Sequence, residues 1–529
     1  MNLKSSPGVG GTLKFPAGFN ITYVAAPQNK SRRYAKDCGI GPFADVAHEY
    51  MERTDLTRID EFTWEIPESF REPMRVPVRI IANEGLIEDI IRDEAIEQAI
   101  QTAMLSGLVG HLVVMPDVYS GQGAPVGIVA VSKWPVGTIA PGAIGHDINT
   151  GVRLLGSDIS LNEAKGNFDA LADALKAHIQ SGTEAEGSLQ MNKSEVDHVA
   201  QSGAQWALRK DMAQQDDLVR AEEGGRLNDA DPAKVSEAAR TLGSQQLGTL
   251  GGGEHFIEIL AVEEVFDRAA AVTMGLQEDT LVAQIHCGSR GYGQQVCADY
   301  IDRFQEAASS YDITPPNPNL ASVPLDSSEA EDYMGAMKAA ANYAYANRQV
   351  LAHRVREVFD ETLDGAGQRL KTVYDVAHNL GQVEMHQVEG KHMRCYVHRK
   401  GAARAFGPGT PGISLPYRAL GQPVLVPGSM GETSWVMLAT RESMQKSFGS
   451  ACHGAGRTMS RHEANHHAEP VALDEELEDE GVHVRSSGGS SPAGGVKLKE
   501  SIEAVVGTVA GARLASKVAR LRPVAVVHG

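Results

Sequence analysis

Apolar and polar positions alternate in short runs along much of this chain, and most runs end in glycine or proline. Phe62-Thr63-Trp64-Glu65-Ile66-Pro67 has the period of two expected of a strand, closed by proline. Residues 74–81 read as a second strand. Over 84–107 the period changes: Leu86, Ile87, Ile90, Ile91, Ile96 and Ile100 recur at helical spacing. Residues 112–123 are a buried strand entering a glycine-rich turn, and 125–131 are another strand. Residues 160–245 are helical in pattern and polar, especially over 214–231, and predict a solvated helix pair outside the core. Strand pattern returns over 247–259, 281–291, 373–379, 398–402 and 424–431. A long helix interrupts it over 330–359, with Met334, Met337, Ala341, Tyr345 and Val350 on its buried side. An acidic helix (473–480), a Ser/Gly-rich loop (485–495) and a terminal helix (501–521) complete the pattern.

Composition narrows the class. The 529 residues are 42% hydrophobic and 22% charged, enough to bury a large core without disulfides. Five scattered cysteines (Cys38, Cys287, Cys297, Cys395, Cys452) form no CxxC pair, which counts against a zinc ribbon or a disulfide framework. Free thiols point to a reducing cytoplasm. Residues 1–18 lack the apolar stretch of a signal peptide. No apolar run approaches the roughly 20 residues that span a membrane. A net charge of −19 argues against a broad basic face for nucleic acid, but leaves room for a local pocket that takes one end. The basic cluster at 29–33 is read as a solvated arm.

The candidate chemistry lies in the turns. Asp147, His255, His286 and His378 each stand in a turn at a strand end, and His453 precedes Gly454-Ala455-Gly456-Arg457. Imidazole with carboxylate suits Mn, Zn, Fe or Ni, and two metals would need about this many donors. Glycine-rich turns offer backbone N–H groups to phosphates. Arg290, Arg399, Lys400, Arg404 and Arg457 would neutralise phosphate charge. Together these parts describe phosphoryl or nucleotidyl transfer, with a histidine as nucleophile or acid/base.

From about Leu56 to Gly529 the chain resembles the RtcB family of RNA-splicing ligases. The resemblance is carried by residues 60–67, 115–127, 145–155, 247–259, 286–291, 374–379, 398–402, 421–431 and 448–461. It implies an α/β fold: residues 1–55 as an N-terminal extension, then a single large domain over 56–529. That domain would have a β-rich central core flanked by helices, with 160–245 as a helical segment within it. It implies joining of an RNA 3′-phosphate, or a 2′,3′-cyclic phosphate opened first by hydrolysis, to a 5′-hydroxyl, with GTP and one or two Mn²⁺. The RNA ends would come from tRNA halves or broken RNA, and an archease-like activator is the partner implied. By position, His453 matches the guanylylated histidine. Asp147, Thr150, His255, His286 and His378 match metal positions. The nucleotide site would include Glu254, His255, Glu258, His378, Asn379, Pro427, Gly428, Ser429, Met430, Ser434, His453, Gly454, Ala455, Gly456 and His528.

The departures have consequences. Thr150 stands where the family has a bridging cysteine, and a hydroxyl is a poorer ligand than a thiolate. Weaker metal affinity, or one metal in place of two, is expected. Glu254 replaces an asparagine; a carboxylate there repels a triphosphate unless it binds a metal or a proton. Tyr119 replaces a histidine, Leu498 a tyrosine and His528 a lysine. Four functions follow: a complete ligase, a divergent paralogue limited to guanylylation, a metal-dependent phosphohydrolase that needs a metal-bound water but no histidine nucleophile, and a non-catalytic RNA-end-binding protein. Retention of His453, Asp147 and three metal histidines argues against the last.

Overall fold

Runs of Val, Ile and Leu, each short enough for a strand, assemble here into two large sheets. The computed structural model describes residues 51–253, 255–429, 431–455, 477–479, 481–486 and 502–529, together with the backbone of two short strands, Gly11–Lys14 and Asn20–Tyr23. The chain divides into two compact units, Met1–Tyr50 and Met51–Gly529. Every side chain described belongs to the second.

One sheet runs Lys371–Ala377, Gly151–Ser160, Thr280–Cys287, Phe256–Val265, Ala515–His528, Ser434–Ala439 and Pro423–Val426, all antiparallel. His483–Ser486 lies parallel beside Ala515–His528. The other runs Asn379–Val388, Lys391–Lys400, Val126–Lys133, Leu112–Tyr119, Val78–Ile81, Thr63–Ile66 and Thr57–Asp60. A small ribbon pairs Ala402–Arg404 with Ser450–Cys452. Helices complete the mixed α/β architecture expected.

Register brings distant parts of the chain together. Gly151 lies opposite both Cys287 and Ala377, and Phe256 opposite both His286 and His528. The chain leaves the first sheet at Ala377 and enters the second at Asn379. His378 is therefore the hinge between the sheets.

The long helix is Ser328–Thr362. It is buried on all sides through its middle, where Asn342, Asn347, Arg348 and Gln349 are as covered as Tyr343 and Tyr345. The expected single buried side is corrected because the 160–245 segment covers the rest. That segment is a set of short helices, not a solvated pair. Val196, Val199, Ala200, Ala204 and Trp206 share one apolar cluster with the helix. Its charges are partly internal: Asp217 pairs with Arg356 at 2.6 Å and Glu222 with Arg404 at 3.0 Å, all buried.

Other elements differ from the pattern for local reasons. The 84–107 helix is two helices, Ile87–Arg92 and Glu94–Thr102, because extended Asp93 breaks the first and caps the second through Ala95 N–H. The 74–81 strand is confined to Val78–Ile81, immediately after Pro77. The terminal helix stops at Gly511, Arg513 turns at φ +60°, and Ala515–His528 is a strand. Of the 473–480 helix only residues 477–479 are described, and of the 485–495 loop only Arg485 and Ser486, which end a strand. Among the described residues no helix is long and apolar enough to cross a membrane.

Candidate active site

His453 follows the last residue of the strand Ser450–Cys452. Its Nδ1 lies 2.7 Å from Asp117 Oδ2, and that oxygen also accepts the backbone N–H groups of His453 (2.9 Å) and Gly454 (3.1 Å). Asp117 sits inside the strand Leu112–Tyr119 and is 1% exposed. A carboxylate holding Nδ1–H leaves Nε2 as the lone-pair nitrogen of the ring. Asp117 is absent from the residues predicted above, although it lies in the 115–127 match. Among apolar strand residues a carboxylate is costly to bury unless several donors meet it, and that anomaly was the available signal.

The predicted metal positions come together beside it. His378 and His453 have ring centroids 4.7 Å apart. His378 Nε2 lies 2.9 Å from His286 Nε2. His255 Nε2 lies 3.0 Å from Asp147 Oδ2. Burial, and then the neighbouring His453 and His286 rings, hold His378 well below the usual imidazole value, so it is neutral. For His255, burial opposes the charge, but Cys287 and Asp147 on either side raise it to about 10.

These donors suit a first-row divalent ion. At a bond length of about 2.1 Å, two ligands at the right angles of an octahedral ion lie about 3.0 Å apart. The His286/His378 and Asp147/His255 pairs both match that separation. Among the described residues no three such side chains already converge on one point. A Cβ at Gly288 would collide with Thr150 Oγ1 and both Asp147 carboxylate oxygens, so glycine keeps this cradle clear. Thr150 Oγ1 donates to the Asp147 carbonyl at 2.9 Å. Cys287 does not take the place of a thiolate there: its Sγ lies on the Nδ1 side of His255, 3.8 Å away, where Asn347 Nδ2 donates to it at 3.3 Å.

The remaining predicted positions divide. Gln284 Nε2 donates to Glu258 Oε2 (3.2 Å) and Ser434 Oγ (3.1 Å), and Gly428 N–H donates to Ser434 Oγ (3.1 Å). Burial pushes Glu258 up to about 8. Pro427 O lies near Gly454, Ser429 Oγ donates to Glu432 at 2.6 Å, and Ala455 and His528 are buried. Asn379 bridges the Asp147 carbonyl (3.2 Å) and Gly401 N–H (2.8 Å). Glu254, Met430, Gly456 and Arg457 lie outside the described residues.

Most of the expected phosphate cations have other partners. Arg399 pairs with Glu384 at 2.5 Å, and Arg404 with Glu222 and Glu223. Lys400 Nζ donates to the carbonyls of Gln122 (2.6 Å) and Ala124 (2.5 Å). All three are buried; the two guanidinium charges meet carboxylates inside the protein, whereas Lys400 meets only carbonyl oxygens and burial lowers it to about 8. Arg290 donates to Thr249 Oγ1 and Gly182 O, with Nη1 toward Gly251 at the site's edge. A cleft of about 1090 Å³ beside Gly381–Met385 includes none of the site histidines. Donor geometry, not cavity size, therefore locates the chemistry.

Fold and site define a mixed α/β protein with a histidine-rich polar site buried where two β-sheets meet. The chain belongs to the RtcB family: a family model described as "tRNA-splicing ligase RtcB" matches residues 98–529. A protein named tRNA-splicing ligase RtcB from Archaeoglobus fulgidus is 42% identical over 484 residues, covering 90% of this chain and 99% of that protein. Proteins of the same name from Thermococcus kodakarensis and Methanococcus maripaludis are 42% and 38% identical, each over 90% of this chain and 100% of their own length.

Proposed function

We propose that this protein is an RNA ligase that joins 3′-phosphate or 2′,3′-cyclic phosphate ends to 5′-hydroxyl ends through guanylylated His453. The observation that carries this reading is the Asp117–His453 pair, 2.7 Å apart and buried. It fixes the tautomer that a nitrogen nucleophile needs. The ligase names of the relatives support the substrate class.

His453 Nε2 attacks the α-phosphorus of GTP. The P–N bond forms, the bond to the bridging oxygen breaks, and pyrophosphate leaves. An RNA 3′-phosphate oxygen then attacks the same phosphorus and releases the histidine. The 5′-hydroxyl oxygen attacks the RNA 3′-phosphorus, loses its proton and displaces GMP. A cyclic phosphate is first opened by water. Asp147, His255, His286 and His378 would hold one or two Mn²⁺, with Thr150 at the bridging position. A bound cation supplies charge neutralisation and polarisation at phosphorus. The buried Glu258–Gln284–Ser434 run, with Pro427 and Gly428, would receive the guanine nucleotide.

One observation favours a second reading, guanylylation without sealing. Thr150 Oγ1 is already engaged by the Asp147 carbonyl and supplies no anion between two cations. Incubation with α-labelled GTP and Mn²⁺ tests both readings. Acid-labile label on the wild type, lost in His453→Ala, is expected; no label with any divalent metal would sink both. Added RNA 3′-phosphate and 5′-hydroxyl ends then separate sealing from arrest.

A further inference from the structure

The long helix meets the site through two adjacent polar residues, Asn347 and Arg348, both 0% exposed. An apolar pair would fill the middle of a buried helix without the desolvation that a guanidinium costs. Where their donors go is therefore informative. Arg348 Nη1 donates to the carbonyls of Asn149 (2.6 Å) and Cys287 (3.0 Å), and Nη2 donates to Asn149 Oδ1 (3.2 Å). Asn149 lies between Asp147 and Thr150 and is held at φ +58°, an uncommon conformation for a residue with a side chain. Cys287 follows His286. Asn347 Nδ2 donates to the carbonyls of Thr249 and Gly288, both at 3.2 Å, while its Oδ1 accepts Gly248 N–H at 2.7 Å. Two side chains on one helical turn thus tie together the loop that leads to His255, the Asp147–Thr150 loop and the turn after His286.

We propose that Asn347 and Arg348 are positioning residues that set the spacing of Asp147, His255 and His286 and thereby the cation affinity of the site. This rests on the reading that those donors hold a divalent cation. A purely structural role for Arg348, as counter-ion to buried Asp375, is the competing account. Arg153 supplies the control. It is equally buried, donates to Asp375 Oδ2 at 2.7 Å and pairs with Gln349, but its partners are not the site-loop carbonyls.

The test measures Mn²⁺ affinity from the electron paramagnetic resonance of free ion, Co²⁺ absorption, and Tm on full-length wild type, Arg348→Lys, Asn347→Ser and Arg153→Lys. Arg348→Lys keeps the charge facing Asp375 and loses the fork that spans two carbonyls. Asn347→Ser removes no charge and carries the test if Arg348→Lys does not fold. Both are expected to weaken Mn²⁺ binding at least tenfold and shift the Co²⁺ bands. Arg153→Lys should bind within twofold of wild type even where its Tm falls as far. Wild-type affinity and spectrum in both Arg348→Lys and Asn347→Ser, or equal weakening in Arg153→Lys, would overturn the proposal alone. A wild type that binds neither ion would overturn the metal reading and the proposal together.

Discussion

Asp117 and His453 show how much one carboxylate can decide. Two backbone N–H groups, at 453 and 454, donate to Asp117 Oδ2, and the ring Nδ1 of His453 lies 2.7 Å from the same oxygen. The backbone pair places the turn and the ring bond selects the tautomer. Asp117→Asn should leave the fold intact, because an amide fills the same volume. Its labelling rate should still fall by about 10⁴-fold, the scale seen where loss of such a carboxylate gives the wrong tautomer. Single-turnover transfer of label from GTP measures it, and an unchanged rate would remove Asp117 from the mechanism. His453, Asp147 and the candidate metal histidines were visible in sequence because lone polar residues beside glycine-rich turns stand out, although His286 lies within the end of the strand Thr280–Cys287 and not in the turn itself. Asp117 was not, because an aspartate inside an apolar strand declares no partner until the strand has neighbours.

At the scale of elements, strand ends position the chemistry and buried ion pairs hold the strands. Glu384 and Arg399 form an ion pair between the neighbouring strands Asn379–Val388 and Lys391–Lys400, and Arg399 also donates to Ser450 in the ribbon that leads to His453. Burial opposes ionisation of Glu384, but Arg399 and His386 outweigh it and bring the carboxyl from 4.5 down to about 2. The folded state therefore binds this proton less tightly than the unfolded chain. The stability so gained is fully present above the unfolded value and is lost as pH falls toward 2. Glu384→Gln should destabilise the protein by about 3 kcal/mol near neutral pH, as expected when one partner of a buried pair is removed. The gap from wild type should narrow steadily below about pH 4.5. Urea unfolding across pH 3 to 7 checks both sign and window. Sequence placed Arg399, Lys400 and Arg404 opposite phosphate because it shows charge without showing the counter-charge. The internal partner of Arg399, Glu384, lies on the neighbouring hairpin strand, and those of Arg404, Glu222 and Glu223, lie in a distant segment.

For the whole molecule, the candidate metal donors come from residues 147, 255, 286 and 378, which only the completed sheets bring together. The unfolded chain has no comparable site. A cation that binds the folded state alone stabilises it by about 2.7 kcal/mol at a hundred times its dissociation constant. Mn²⁺ should therefore raise Tm by a few degrees, chelation should reverse the rise, and the His286→Ala, His378→Ala double variant should show none of it. An unchanged Tm at millimolar Mn²⁺ would count against the site. Period determined most of the strands and the long helix, turn chemistry the candidate histidines, and the order of matching motifs the family resemblance, because those signals are local. Tertiary structure alone decided that the 160–245 segment is core, that His378 joins two sheets, that Asp117 holds His453, and that Asn347 and Arg348 brace three site loops. Each of those depends on contacts between segments far apart in the chain, where register and burial set the partner and no local pattern records it.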